Sequence, residues 1–177
     1  MLTLEFDGLF RGAPSELKLG GDAGFMCYGW VILREGVVIA RGHGGYARAR
    51  GASSNVAEYL GLIEGLEALS DLLAHGETVL VCGDAQSVIE QMEGKASVSA
   101  SSIKPMNRKA RALARQFKRI YWAWSPRRYN VTADALTRRA LKQIRANPEQ
   151  YEGVFMRRGQ PSGRLHSILD LRIYQPA

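Results

Sequence analysis

Apolar and polar residues alternate along Leu2–Gly8 (LTLEFDG) and stop at a glycine, which predicts a half-buried strand running into a turn. Residues 24–47, GFMCYGWVILREGVVIARGHGGYA, predict two further strands joined by a tight turn at Arg34-Glu35-Gly36, an antiparallel hairpin. The period then changes. From about Val56 to Ala74 apolar residues recur at helical spacing, and this helix is expected to end near Gly76. ETVLVCGD (77–84) is a short, nearly continuous apolar run, as for a strand covered on both faces. AQSVIEQMEG predicts a short helix closed by Gly94, followed by the serine-rich connector KASVSASS. KPMNRKARALARQF (104–117) predicts a basic helix and RIYWAWSP (119–126) a strand ended by Pro126. NVTADALTRRALKQIRAN (130–147) predicts a last helix stopped by Pro148, and the tail from Pro148 to Ala177 has no clear period.

A hairpin meander continued by strands with helical crossovers implies an α/β fold. Its sheet is expected to be five-stranded and mixed, antiparallel in its first three strands and parallel after, with helices on both faces. This unit is expected to span residues 1–146, leaving 147–177 as a C-terminal extension of unassigned role.

One residue of the long helix is out of place. At 100° per residue Glu58 shares a stripe with Leu62, Gly65, Leu69, Leu72 and Leu73, while Glu64, Glu67 and Asp71 are expected on the opposite, solvent-facing side. A carboxylate on a core-facing stripe is costly unless something pairs with it. A capping box is one explanation, with Asn55 as N-cap and Glu58 reaching back to its N–H. A site is the other, and it requires more acids at the same end of the core. Asp7 ends the first strand, Asp84 ends the buried strand, and Asp134 lies in the first turn of the last helix. In open α/β sheets, sites form at the carboxyl ends of strands and the adjoining helix N-termini. Each acid also has a local explanation, as turn residue, helix cap or dipole partner. Those explanations leave the series at successive element ends unaccounted for.

Charge adds a second feature. The 177 residues are 46% hydrophobic and 23% charged, ordinary for a globular domain, but the net charge of +7 is unevenly spread. Residues 1–93 hold 6 Lys/Arg against 13 Asp/Glu, residues 94–133 hold 10 Lys/Arg and no acid, and residues 134–177 hold 8 and 4. A pure basic segment beside an acidic half points to polyanion binding next to a carboxylate site. No apolar run approaches the ~18 residues of a membrane span, and the N-terminus does not read as a secretory signal. Cys27 and Cys82 lie in strand-like segments without zinc-type spacing, as buried thiols of a reducing compartment would. His43, His75 and His166 likewise lack metal-ligand spacing. A cytoplasmic protein is expected.

The motifs FDG…RGAP, SSNVAE, GDAQSV and NVTADALTRRA, in this order, resemble the type 1 ribonuclease H family over about residues 1–146. The resemblance implies the ribonuclease H-like fold and cleavage of the RNA strand of an RNA–DNA hybrid. It implies two divalent ions, normally Mg²⁺ with Mn²⁺ as a possible substitute, held by Asp7, Glu58, Asp84 and Asp134. Hard oxygen ligands without His or Cys suit Mg²⁺. By the same resemblance Asn55 and Gln86 contact the hybrid in its minor groove, and Ser53 holds a phosphate of the DNA strand. Lys104, Arg108 and Arg111, on the basic helix, are positioned to hold the nucleic-acid backbone.

Three departures stand out. GAPS replaces the frequent GNPG, so Ala13 lacks the polar group that Asn would supply. WSPRRYNVTAD has no His before the last Asp, as in a shorter, His-lacking branch. The loop KASVSASS stands where many members have a basic protrusion helix. Two other readings stay open: another nuclease of the superfamily, acting on double-stranded RNA or on DNA, and a non-catalytic nucleic-acid-binding module.

Overall fold

The computed structural model describes residues 1–156 and 163–175. Its elements run β1 (Leu2–Gly12), β2 (Gly24–Arg34), β3 (Val37–Arg48), α1 (Ser54–Asp71), β4 (Thr78–Gly83), α2 (Gln86–Glu93), α3 (Lys104–Ala114), β5 (Arg119–Trp124), α4 (Val131–Ala146), α5 (Glu149–Met156) and β6 (His166–Tyr174). The sheet order is β5-β4-β1-β2-β3-β6. β1, β2 and β3 form the antiparallel meander, and β4 and β5 join β1 in parallel. The expected five strands are all present. A sixth, β6, pairs antiparallel with β3 and comes from the tail that showed no clear period.

The sheet separates two apolar layers. On one face α1, α2 and α3 bury Leu4, Phe6, Tyr28 and Trp30 of the sheet beneath Tyr59, Leu62, Leu66 and Ala110. On the other face α4 and α5 cover Phe25, Cys27 and Ala47 with Leu141, Ile144, Tyr151 and Phe155. The Phe25 ring meets the edges of Tyr151 and Phe155 at centroid distances of 4.3 and 5.7 Å. The C-terminal residues thus contribute to both the sheet and the second core.

The helix-face reading of α1 needs one correction. Glu64 is not solvent-facing; it is 3% exposed. β6 is the reason. Its Arg172, opposite Gly42 of β3, reaches over the sheet edge to Glu64 at 2.7 Å, Glu67 at 3.1 Å and Asp71 at 3.1 Å. Tyr46 of β3 donates to the other Glu64 oxygen at 2.7 Å. Glu64 therefore meets a cation from the tail, while Asp71 at the end of the same row remains exposed.

Candidate active site

Two close approaches bring the acids together. A Cβ on Gly8 would lie 2.2 Å from the Ala57 carbonyl carbon and the Glu58 nitrogen, so only glycine lets α1 settle on β1 directly beside Asp7. A Cβ on Gly29, which pairs with Asp7 across β1 and β2, would lie 2.5 Å from the Ala133 carbonyl oxygen. That space admits the first turns of α4 beneath the same point. Gly83, the last residue of β4, pairs with Phe6, which sets Asp84 beside Asp7 at the carboxyl ends of adjacent parallel strands.

Asp7, Glu58 and Asp84 each offer a carboxylate oxygen, and these oxygens lie within 4.8 Å of one another. Both Asp7 side-chain oxygens and Glu58 Oε2 are buried without a hydrogen-bond partner among the described residues. Burial raises the Asp7 pKa to about 6, with Asp84 and Asp134 adding repulsion. Glu58 is pushed up to about 9, chiefly by burial and then by Asp7 and Asp84; Arg127 and the Gly8 amide only partly offset this. At neutral pH the protein alone cannot keep all of these acids charged.

Asp134 is placed differently. It lies next to the triad, close enough to raise the Asp7 pKa, but outside the mutually close set. Arg127 Nη2 and Arg138 Nε donate to its two oxygens, the latter at 2.7 Å. Burial would raise the Asp134 pKa, but these two hydrogen bonds outweigh it and hold the group below its ordinary value.

The capping-box explanation of Glu58 does not hold. Ser53 is the N-cap of α1, its hydroxyl accepting from the Val56 N–H at 3.2 Å. Glu58 lies too far along the helix to reach back to that cap. Asn55 sits in the first turn, and the Ser87 hydroxyl donates to its Oδ1 at 3.4 Å, which joins the first turns of α1 and α2. Gln86 is exposed on the same rim, its amide donating to Glu90 at 2.7 Å.

The three cations of the basic helix fare unequally. Lys104 and Arg108 are exposed on α3. Arg111 donates instead to the Gln91 carbonyl and to Asn107 Oδ1, tying α3 to α2. Between Glu93 and Lys104 the chain forms turns without helix.

Two neighbours of the acids carried no strong sequence signal. Asn130, 2% exposed at the N-cap of α4, donates from Nδ2 to the Phe6 carbonyl at 2.7 Å and to Asp84 Oδ1 at 3.4 Å. One side chain thereby links β1, the end of β4 and the helix that carries Asp134. Its position four residues before Asp134 was the available hint. Arg127 is one of two adjacent arginines in a loop, and nothing in the sequence distinguishes it from Arg128.

Comparison with known proteins identifies the family. The profile of a family described as reverse transcriptase-like matches residues 24–140. The bifunctional protein Rv2228c of Mycobacterium tuberculosis is 36% identical over 140 residues, covering 79% of this chain and 35% of that protein. This chain thus spans about a third of that relative. The solved N-terminal RNase H domain of Rv2228c superposes with a TM-score of 0.68 at 31% identity, over 83% of this chain and 97% of that one. Ribonuclease HI of Halobacterium salinarum is 32% identical over 137 residues, 77% of this chain and 62% of that protein. LC11-RNase H1, solved with an RNA/DNA hybrid, shares the fold with a TM-score of 0.68 at 23% identity, over 81% of this chain and 99% of that one. With a family profile over most of its length and a solved RNase H domain matched almost end to end, the chain belongs to the type 1 ribonuclease H family.

Proposed function

We propose that this protein hydrolyses the RNA strand of RNA–DNA hybrids, with two divalent ions, normally Mg²⁺, held by Asp7, Glu58, Asp84 and Asp134. The supporting observation is the set of buried carboxylate oxygens that lack a hydrogen-bond partner among the described residues. Oxygen donors without His or Cys fit a hard cation, and orphaned anionic oxygens need one. Bound divalent ions would supply an activated water and stabilisation of the leaving 3′ oxygen.

The chain's own residues do the rest. Asn130 fixes the Asp84 carboxylate relative to β1. Arg127 and Arg138 keep Asp134 ionised and oriented toward the cleft. Asn55 and Gln86, on adjoining helix starts, can meet a 2′-hydroxyl, which both donates and accepts. The hydroxyl and first-turn amides at Ser53 offer a place for a DNA-strand phosphate. Lys104 and Arg108 attract the backbone, while Arg111 holds α3 in place to present them. Residues 1–146 form the catalytic unit in this reading, and His166–Tyr174 of the tail extends its sheet. No helix among the described residues is long and apolar enough to cross a membrane. The free thiols Cys27 and Cys82 suit a reducing, cytoplasmic setting.

The test is cleavage of end-labelled hybrid, double-stranded RNA and double-stranded DNA of one sequence, with Mg²⁺, with Mn²⁺ and with chelator. Metal-dependent cuts confined to the RNA strand of the hybrid are expected. Preferential cutting of either duplex control, or binding without cleavage, would replace this reading.

A further inference from the structure

α4 leaves the acid cluster with Asp134 in its first turn and then carries cations along its outer side. At 100° per residue Arg138, Lys142 and Arg145 fall on one exposed stripe with Asp134, and Arg139 flanks it. From Arg138 to Arg145 the stripe covers roughly 10 Å of helix, enough to face about three phosphates of one strand. Arg138 is committed to Asp134. Arg139, Lys142 and Arg145 form no ion pair among the described residues, nor do Arg41 on β3 and Arg11 on β1.

A helix face that uses cations for solubility ordinarily alternates them with acids three or four residues away. Here the acids resume only at Glu149 and Glu152, on α5. The flanking cations lie close enough to act in pairs on the same buried groups. Arg139 and Arg41 together lower the pKa of His43 beyond what its burial does, and Arg145 and Arg11 both act on Cys27, whose pKa burial raises. Like charges are thus gathered on the α4 side of the sheet with no ion-pair partner among the described residues, at the cost of mutual repulsion.

We propose that the α4 face is a second nucleic-acid track, which holds the phosphate backbone of substrate extending past the cleavage site. It lies on the opposite side of the sheet from the basic helix α3, so it is a surface separate from Lys104 and Arg108. The occupant is a polyanion strand continuous with the one in the acid cleft, because the stripe begins at Asp134. This rests on the hydrolase reading for what lies in the cleft, but not for whether the track binds phosphates.

The experiment compares the protein with a variant carrying Arg139→Gln, Lys142→Gln and Arg145→Gln, on a short hybrid of about 10 base pairs and on one with long flanking duplex. All three side chains are exposed, and a circular dichroism melt checks that the variant folds. Binding is measured in Ca²⁺ over a range of salt. On the long substrate the variant should lose affinity, and its log K against log salt slope should flatten by about 0.7 to 0.9 for each phosphate contact removed. On the short hybrid, binding and Mg²⁺-dependent cleavage should match the unmodified protein. An unchanged slope on the long substrate overturns the track. Equal losses on both substrates also overturn it, since the residues would then belong to the primary groove. Failure of the unmodified protein to cleave either hybrid would refute the hydrolase reading and leave the slope result to be judged separately.

Discussion

Two glutamates on one helix, Glu64 buried and Glu58 half-buried with one buried oxygen, meet opposite fates. Glu64 of α1 is matched from inside the chain, by the Tyr46 hydroxyl and the Arg172 guanidinium, both at 2.7 Å. Glu58, under two turns earlier, has a buried oxygen with no partner and two acids for neighbours. Burial raises the pKa of both, but at Glu64 the hydrogen bond from Tyr46 and the charge of Arg172 oppose it. A carboxylate that the fold intends to keep buried is given a cation. One that the fold leaves unmatched takes, on the proposed reading, a cation from solution. That reading separates a structural acid from a site acid within a single element.

The largest contrast is expected in activity. Asp84→Asn should lower metal-dependent cleavage by orders of magnitude, since the stabilisation lost is worth several kcal/mol, about 1.4 kcal/mol per factor of ten. Its melting temperature without metal should hold or rise, because one repelling charge is gone. Glu64→Gln should leave the cleavage rate within a few-fold. If both substitutions are equally damaging to the rate, the division between the two kinds of acid fails.

Next in size is a stability effect at the other end of the helix. Arg172→Ala leaves Glu64 buried beside Glu67 and without its cation. Breaking a fully buried pair costs about 3–5 kcal/mol; with 23% of the Arg172 side chain exposed, about 2–4 kcal/mol is expected in urea unfolding. Adding Glu64→Gln should recover part of that loss, a coupling that a double-mutant cycle measures. An additive result would mean that Arg172 matters only as packing.

The pH dependence of the metal-free protein sharpens the comparison further. Asp7 and Glu58 have folded-state pKa values raised to about 6 and about 9, so the folded chain binds protons more tightly than the unfolded one. Their contribution is complete near pH 4 and is lost as pH rises through about 6 and then about 9. Unfolding in chelator from pH 5 to pH 9 should therefore show falling stability, and Glu58→Gln should flatten the fall. A curve identical to that of the unmodified protein would contradict the unmatched state of Glu58.

What the sequence made legible follows the same division. β1 to β5 and α1 to α4 are readable because their apolar residues recur at strand or helix spacing or, as in β2, form a nearly continuous buried run. β6 is harder to read. It is an edge strand, and only LDLRIY within it alternates, with Leu169, Leu171 and Ile173 on one face and Asp170, Arg172 and Tyr174 on the other. The misplacement of Glu64 follows directly, because helical periodicity shows where a side chain points and not what a distant segment brings to meet it. Asp7, Glu58 and Asp84 are legible because local devices explain each acid singly but not acids at successive element ends, one of them on an apolar stripe. The bonds from Arg127 and Asn130 depend on loop geometry, which carries no period. Ser53→Ala offers the smallest check on the corrected helix start: a loss of about 1 kcal/mol, with Asn55→Ala costing less. The reverse order would return the cap to Asn55.

The central claim is that the buried Glu58 oxygen is held for a cation the chain does not supply. The direct measurement is the thermal shift on adding Mn²⁺ or Mg²⁺ to the unmodified protein, to Glu58→Gln and to Glu64→Gln, each against its own chelated baseline. Binding to the folded state alone raises the melting temperature with metal concentration. The account predicts that the unmodified protein and Glu64→Gln gain similar shifts, while Glu58→Gln gains little or none at the same concentration. A full metal shift in Glu58→Gln would contradict it.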